Sequence, residues 1–96
     1  MTTDKIVEIG IDEQGKVFVK PETKIFEFIW RDASAIRWDE TKKILYSPKA
    51  GELTHYDWYR EILLATKGEY GCQLILTEKT QWTNIPDDLR RLITLY

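Results

Sequence analysis

Cysteine, histidine, proline and glycine are all scarce in this chain of 96 residues. It contains one cysteine, one histidine, three prolines and five glycines. A single cysteine cannot form a disulfide within the chain, and one histidine with one cysteine is too few ligands for a nitrogen and sulfur zinc site. The scattered glycines form no phosphate-binding loop. We therefore expect no disulfide within the chain, no bound metal and no cofactor.

Long apolar runs and a large charge of one sign are also lacking. The chain has 14 basic and 16 acidic side chains, for a net charge of -2, and 43% of its residues are hydrophobic. No run approaches the ~18 apolar residues of a membrane span, and the start of the chain lacks the apolar core of a signal peptide. We expect a single cytoplasmic domain over residues 1–96 that is not membrane-bound. Nucleic acid is an unlikely partner because no segment is a basic platform.

The first half of the chain has the pattern of β-strands. Alternating apolar residues predict strands at 5–11 and 16–20, joined by a turn, and a second hairpin at 36–38 and 44–46. The first strand should bury one face, with Val7, Ile9 and Ile11 on the same side.

Residues 25–35 are ambiguous between a strand and a helix. The segment 25–30 is rich in residues that favour strands and is apolar on both sides, as in a central strand. Phe26, Ile29 and Trp30 also fit the spacing of a helix that continues through Ala35. We interpret the segment as a central strand, and the helix remains the alternative.

Two helices are predicted in the second half. Thr54 and Asp57 have the spacing of a capping box, and the helix should run to about Lys67 and stop at Gly68. A strand follows at 72–78, and Pro86 begins the last helix. The order predicts an α+β fold: a mostly antiparallel sheet of five to six strands with two helices packed on one face.

Helical spacing also predicts which side chains are buried. The first helix should bury a stripe that includes Trp58 and leaves Tyr56 toward solvent. The last helix should dock on the sheet through Leu89, Leu92 and Ile93, which share one face.

Several short clusters together resemble small bacterial proteins carried on mobile gene cassettes, including integron cassette proteins, and more loosely immunity proteins of toxin systems. They cover roughly residues 30–90 and are Arg37-Trp38-Asp39, Leu45-Tyr46-Ser47-Pro48, Tyr56-Asp57-Trp58-Tyr59, Glu69-Tyr70-Gly71 and Asn84-Ile85-Pro86-Asp87-Asp88-Leu89. The resemblance implies a bacterial accessory protein that acts by binding, and it carries no site residue.

Catalytic chemistry has little support in the sequence. His55 and Cys72 are the only possible base and thiol pair, and nothing in their spacing brings them together. The adjacent acids, such as Asp87 and Asp88, are better explained by a helix start and by turns. Lys42 and Lys43 beside aromatic residues are better explained by a solvated turn than by nucleic-acid stacking. We therefore expect a protein that is not an enzyme.

The aromatic surplus between residues 38 and 59 indicates where a partner binds. The leading hypothesis is a non-enzymatic accessory or immunity-type protein that binds another protein or a second copy of itself. Its predicted contact residues are Tyr46, Lys49, His55, Tyr56 and Arg60. The alternative is a small-molecule-binding domain whose pocket between sheet and helices is lined by Trp38, Tyr46 and Trp58.

Overall fold

Six strands and two α-helices confirm the α+β fold that the sequence predicts. The structure is a computed structural model that describes residues 2–32 and 35–96, apart from the side chain of Asp32. The strands are β1 (Thr2–Ile11), β2 (Lys16–Pro21), β3 (Arg37–Asp39), β4 (Ile44–Lys49), β5 (Cys72–Ile75) and β6 (Gln81–Thr83), and the helices are α1 (His55–Tyr70), α2 (Asp87–Leu95) and a short 3-10 helix (Ile29–Asp32).

The strands form one sheet in the order β3-β4-β2-β1-β5, and β6 also pairs with β1. The pairings β1 with β2, β2 with β4 and β3 with β4 are antiparallel, which makes the sheet mostly antiparallel. Strands β5 and β6 are both parallel to β1 and occupy successive parts of its edge. Strand β6 has three residues and was not predicted from the sequence.

The alternation predicted for the first strand is wrong, because β1 contains a bulge. Its register against β2 shifts between Ile6 and Glu8. The extra residue returns the chain to the same face, so that Ile6 and Ile9 are both buried while Val7 is half-buried. The hydroxyl of Thr80 donates to the carbonyl oxygen of Ile6 at 2.7 Å, beside this shift.

The segment 25–32 does not form the predicted central strand. Phe26 and Ile29 are buried, but Ile25, Phe28 and Trp30 are exposed, and the chain turns into the 3-10 helix. The spacing of Phe26 and Ile29 therefore reflected a short helical turn with one buried side. The rest of the helical alternative falls on Ala33 and Ser34, which lie outside the described residues.

Helix α1 begins as predicted and ends later. The Thr54 hydroxyl accepts from the Asp57 backbone N–H, and the Asp57 carboxylate accepts from the Thr54 N–H. The predicted end at Gly68 is wrong, since the helix continues to Tyr70 and is capped by Gly71 in the left-handed conformation (φ 60°). The added turn carries the Tyr70 ring to 4.9 Å from the ring of Phe26.

The core lies between the sheet and the helices. It joins Ile9, Val19 and Leu45 of the sheet to Ile62 of α1 and Ile93 of α2, so both helices cover the same sheet face. On α1 the buried stripe is Tyr59, Ile62, Ala65 and Thr66. Trp58 and Tyr56 are both half-buried, so the predicted contrast between them is not found.

The docking predicted for the last helix is correct in part. Ile93 is buried and Leu89 packs partly against the core, but Leu92 remains 49% exposed. The helix contacts α1, but this contact does not cover the side chain of Leu92.

Asp4 is a buried carboxylate that ties β1 to the segment after β2. It accepts hydrogen bonds from the backbone N–H groups of Thr23 and Lys24 and from the Thr23 hydroxyl, at 2.8–3.0 Å. Burial raises the pKa of Asp4, but these hydrogen bonds outweigh it and hold the pKa below its ordinary value.

Gly10 is expected to tolerate no larger residue, because the ring of Phe18 lies across it. A Cβ at Gly10 would lie 2.6 Å from Phe18 Cζ and 2.7 Å from the Thr83 carbonyl oxygen. Gly10→Ala should lower the free energy of unfolding by about 1–3 kcal/mol. Gly51→Ala is the control, since nothing lies within 4 Å of a Cβ there. Equal stability of the two variants in urea denaturation would contradict this packing.

Ile93 and Leu92 are neighbours on α2 that should differ sharply in their contribution to stability. Ile93→Ala should cost about 2–5 kcal/mol, because its side chain is buried and a cavity would remain. Leu92→Ala should cost well under half of that, since about half of Leu92 already contacts solvent. Thermal or chemical unfolding of the two variants measures the difference, and a larger loss at Leu92 would show that α2 is rotated.

The Asp4 carboxylate should contribute stability that depends on pH. Because its folded pKa lies below the ordinary value of 3.8, the contribution is present above pH 3.8 and is lost as the pH falls through the folded pKa. Asp4→Ala should cost about 1–3 kcal/mol near neutral pH, and the gap from the wild type should narrow in acid. Unfolding measured from pH 7 to pH 2 tests this, with exposed Glu22→Ala as control. A gap that stays constant over this range would contradict the role of the charge.

Candidate functional site

The five predicted contact residues do not form a single cluster. Tyr56 and Arg60 lie on α1, His55 and Lys49 lie near the β1–β2 turn, and Tyr46 lies on the sheet. Each group has its own set of neighbours.

Tyr56 and Arg60 form a cluster with the last residue, Tyr96. The Arg60 guanidinium lies 5.6 Å from the ring centre of Tyr56 and 5.8 Å from that of Tyr96. The two tyrosine rings meet edge to face at 6.3 Å, and Tyr59 meets Tyr96 at 6.0 Å. Burial, with Tyr96 and Tyr56 nearby, raises the pKa of Tyr59 to about 12, so the Tyr59 phenol stays neutral while Arg60 supplies the positive charge.

The Asp57 carboxylate at the start of α1 orients Arg60. Its Nη1 lies 3.8 Å from Asp57 Oδ1. Hydrogen bonding from Thr54, with a smaller contribution from Arg60, holds the pKa of Asp57 below its ordinary value. Arg60 is therefore held between a carboxylate and two aromatic rings, and its outer side remains exposed.

His55 and Lys49 meet at the turn between β1 and β2. His55 Nε2 lies 3.2 Å from the carbonyl oxygen of Gly15, and the backbone N–H of Ala50 donates to the same oxygen at 3.5 Å. Lys49 pairs with Lys16 at the end of the sheet. These contacts indicate that His55 holds the start of α1 against the turn between β1 and β2.

Tyr46 lies on the face of the sheet opposite the helices. Its neighbours Leu45 and Ser47 are buried, and side chains alternate along a strand. Trp38 is paired with Leu45 and contacts Phe26 at 5.9 Å, so it lies on the helix side. The sheet therefore separates Tyr46 from Trp38 and Trp58, and these three predicted pocket residues do not line one cavity.

Among the described side chains, the buried Nε1 of Trp58 has no hydrogen-bond partner.

Helix α2 has a cleft on each flank. One, of about 300 Å³, lies between the starts of the two helices and is lined by Thr54, His55, Tyr56, Pro86, Asp88, Leu89 and Leu92. The other, of about 230 Å³, lies toward β5 and is bordered by Leu74, Ile75, Ile93 and Tyr96 among others. Between them Leu92, Leu95 and Tyr96 are 49%, 78% and 52% exposed.

We call Tyr56, Arg60, Leu92, Leu95 and Tyr96 the α2 surface. The sequence predicted its α1 members but assigned Leu92 to the docked face of the last helix. A signal for the exposed members was present, since the apolar residues at 92, 93, 95 and 96 spread over about 160° of the helix. One neighbouring helix cannot cover so wide an arc.

A second exposed apolar patch was also missed. Ile25, Phe28 and Trp30 are 50%, 45% and 54% exposed, and the Arg31 guanidinium lies over the rings of Phe28 and Trp30 at 4.4 Å and 5.6 Å. The Tyr70 hydroxyl accepts from the Phe28 backbone N–H at 2.9 Å and fixes the segment to α1. Interpretation of this segment as a central strand concealed the patch.

The residues considered for catalysis lie apart. His55 begins α1, and Cys72 is buried just beyond its C-terminal end, which places them roughly 24 Å apart along the helix. Within residues 2–32 and 35–96, no three His, Cys, Asp or Glu side chains are grouped to hold a metal ion. In the same part of the chain, neither helix has the length and apolarity needed to cross a bilayer.

Comparisons with known proteins identify the family. The family model described as Integron Cassette Protein Hfx_Cass5 matches residues 4–80. A solved structure of the integron cassette protein Hfx_Cass5, from the mobile metagenome of the North West Arm Sewage Outfall, is 33% identical with a TM-score of 0.52, over 99% of this chain and 95% of that one. A comparison with curated proteins gives no match. The predicted resemblance to integron cassette proteins is thus confirmed, and the chain belongs to the Hfx_Cass5 family of integron cassette proteins.

Proposed function

We propose that this protein is a non-enzymatic accessory protein that acts by binding another protein through the α2 surface. The observation that carries the proposal is the exposure of Leu92, Leu95 and Tyr96, side by side on a helix that already buries Ile93. Large apolar side chains left together on a surface are typical of protein contact sites.

The composition of the α2 surface suits the centre of an interface. Tyrosine and arginine are enriched among residues that dominate binding energy, and here Tyr56, Tyr96 and Arg60 are already held in mutual contact. Side chains that are fixed before binding lose less conformational entropy when a partner docks. The clefts beside α2 would accept apolar side chains of the partner.

An immunity-type role is a specific form of this proposal. A protein of that type acts by occupying the surface of another protein, so it requires a rigid contact face. The α2 surface is supported on one side by the α1 capping box and on the other by Arg90, whose guanidinium lies 4.6 Å from the ring centre of Trp82.

Leu95→Glu should abolish capture of the partner while leaving the fold intact. Leu95 is 78% exposed, so the free energy of unfolding should change by no more than about 0.5 kcal/mol. A charge at the centre of an apolar contact should reduce the amount of partner captured from a bacterial lysate by at least about tenfold. Quantitative pulldown with the immobilised full chain measures this.

The matched control is Ile25→Glu, which places the same charge at a 50% exposed apolar residue of the other patch. Capture should be unchanged by this control. Loss of capture with Ile25→Glu and not with Leu95→Glu would move the contact site to the segment 25–31 and reject the α2 surface.

A further inference from the structure

The face of the sheet away from the helices is a second surface. On β2, Val17 and Val19 are buried in the core. Lys16, Phe18 and Lys20 alternate with them and therefore lie on the other side. We call this side the outer face. Across from Phe18, its antiparallel partner on β4 is Tyr46, and its partner on β1 is Gly10.

The centre of the outer face is apolar. The Phe18 ring occupies the space where a Cβ of Gly10 would be, so the ring leans across β1. Phe18 and Ile44 line one cleft of about 230 Å³ together with charged residues. β1 has no side chain of its own at Gly10, and the Phe18 ring covers it there.

Charges on the outer face are divided between its two halves. Lys16 and Lys20 lie on β2, and Lys42 in the β3–β4 turn lines the same clefts as Phe18. Glu8 lies on β1, and Asp12 follows it in the turn. Of the side chains the structure describes, none forms an ion pair with these three lysines.

The acids of the outer face are held in place by hydrogen bonds. The Thr83 hydroxyl donates to Glu8 Oε2 at 2.6 Å, and the Gln14 and Lys16 backbone N–H groups donate to Asp12 Oδ1 at 2.9 Å. We call Lys16, Lys20 and Lys42 the basic half of the outer face, and Glu8 and Asp12 the acidic half.

We propose that the outer face binds a second copy of this chain, with a two-fold axis that runs along the strands between β1 and β2. Glu8 and Lys20 are cross-strand partners, as are Gly10 and Phe18. Rotation about such an axis places Lys20 of each copy opposite Glu8 of the other. It also brings the two Phe18 rings together at the centre, as an isologous interface requires.

A second copy fits this face better than a nucleic acid does. A nucleic-acid platform needs an excess of positive charge along the whole surface. Here the basic half lies beside an acidic half, and Lys20 and Glu8 are cross-strand partners. Two-fold pairing places Lys20 of one copy opposite Glu8 of the other, and aligned packing of two sheets is an ordinary arrangement.

Charge reversal tests the proposal by sedimentation equilibrium of the full chain. The wild type should be a dimer. Lys20→Glu and Glu8→Lys should each raise the dimer dissociation constant on the order of 100-fold, because each creates two like-charge contacts. An equal mixture of the two variants should restore the dimer, since every contact in the mixed pair is again between opposite charges. Lys67→Glu on α1 is the matched control and should leave the dimer intact.

The mixing step separates a contact role from a folding role. Glu8→Lys removes the acceptor of the Thr83 hydroxyl, and circular dichroism shows whether this variant still folds. If it does not fold, Lys42→Glu replaces it as a second variant that should weaken the dimer. Any of three results would overturn the proposal. The wild type is a monomer, the dimer is unaffected by Lys20→Glu, or the wild type binds a single-stranded oligonucleotide and Lys20→Glu abolishes that binding. Leu95→Glu should leave the dimer unchanged, so the outcome is independent of the α2 surface.

Discussion

Pairing along strand β1 is the constraint on which the rest of this structure depends. One edge of β1 is covered by β2, and the other edge is shared by β5 and then β6. Because β5 and β6 pair with successive parts of the same edge of β1, the pairing has a gap between them, and a loop connects the two strands across this gap. The Thr80 hydroxyl fills it by donating to the Ile6 carbonyl oxygen and accepting from the Thr77 backbone N–H. The bulge after Ile6 lies at the same place, so the two irregularities accommodate each other.

This arrangement also explains the position of the helices. Helix α1 connects β4 to β5 across the sheet, and α2 follows β6 at the end of the chain. Helix α1 packs against β2, β4, β5 and the 3-10 helix, whereas α2 packs against α1 and the edge of the core, with Arg90 over the ring of Trp82. A nine-residue helix with apolar residues over a wide arc cannot bury them all there. The exposure of Leu92 and Leu95 is therefore a consequence of where the sheet ends.

Local sequence signals predicted most elements, because their causes are local. Alternation, the Thr54–Asp57 capping box and Pro86 each act within a few residues, and the first hairpin, the start of α1 and helix α2 were placed correctly. The errors have non-local causes. The bulge of β1 depends on a loop more than 70 residues away, and Gly68 remained helical because Gly71 supplied the cap. The segment 25–32 is held by Tyr70. The predicted contact residues were scattered for the same reason: strand alternation alone could not show that Tyr46 lies across the sheet from Trp58.

Buried polar side chains in this fold serve the backbone. Asp4 accepts from the N–H groups after β2, Ser47 accepts from the Val17 N–H, Thr66 donates to the Leu63 carbonyl oxygen and Thr80 fills the break beside β1. Each of these bonds replaces water that burial removes, which explains why polar residues are tolerated there. The aromatic and apolar residues that packing does not require lie instead at the surface, on α2 and in the segment 25–31. This fold uses its buried polar groups to connect its elements and leaves apolar groups exposed, and those exposed groups are the physical basis of the binding role that we propose.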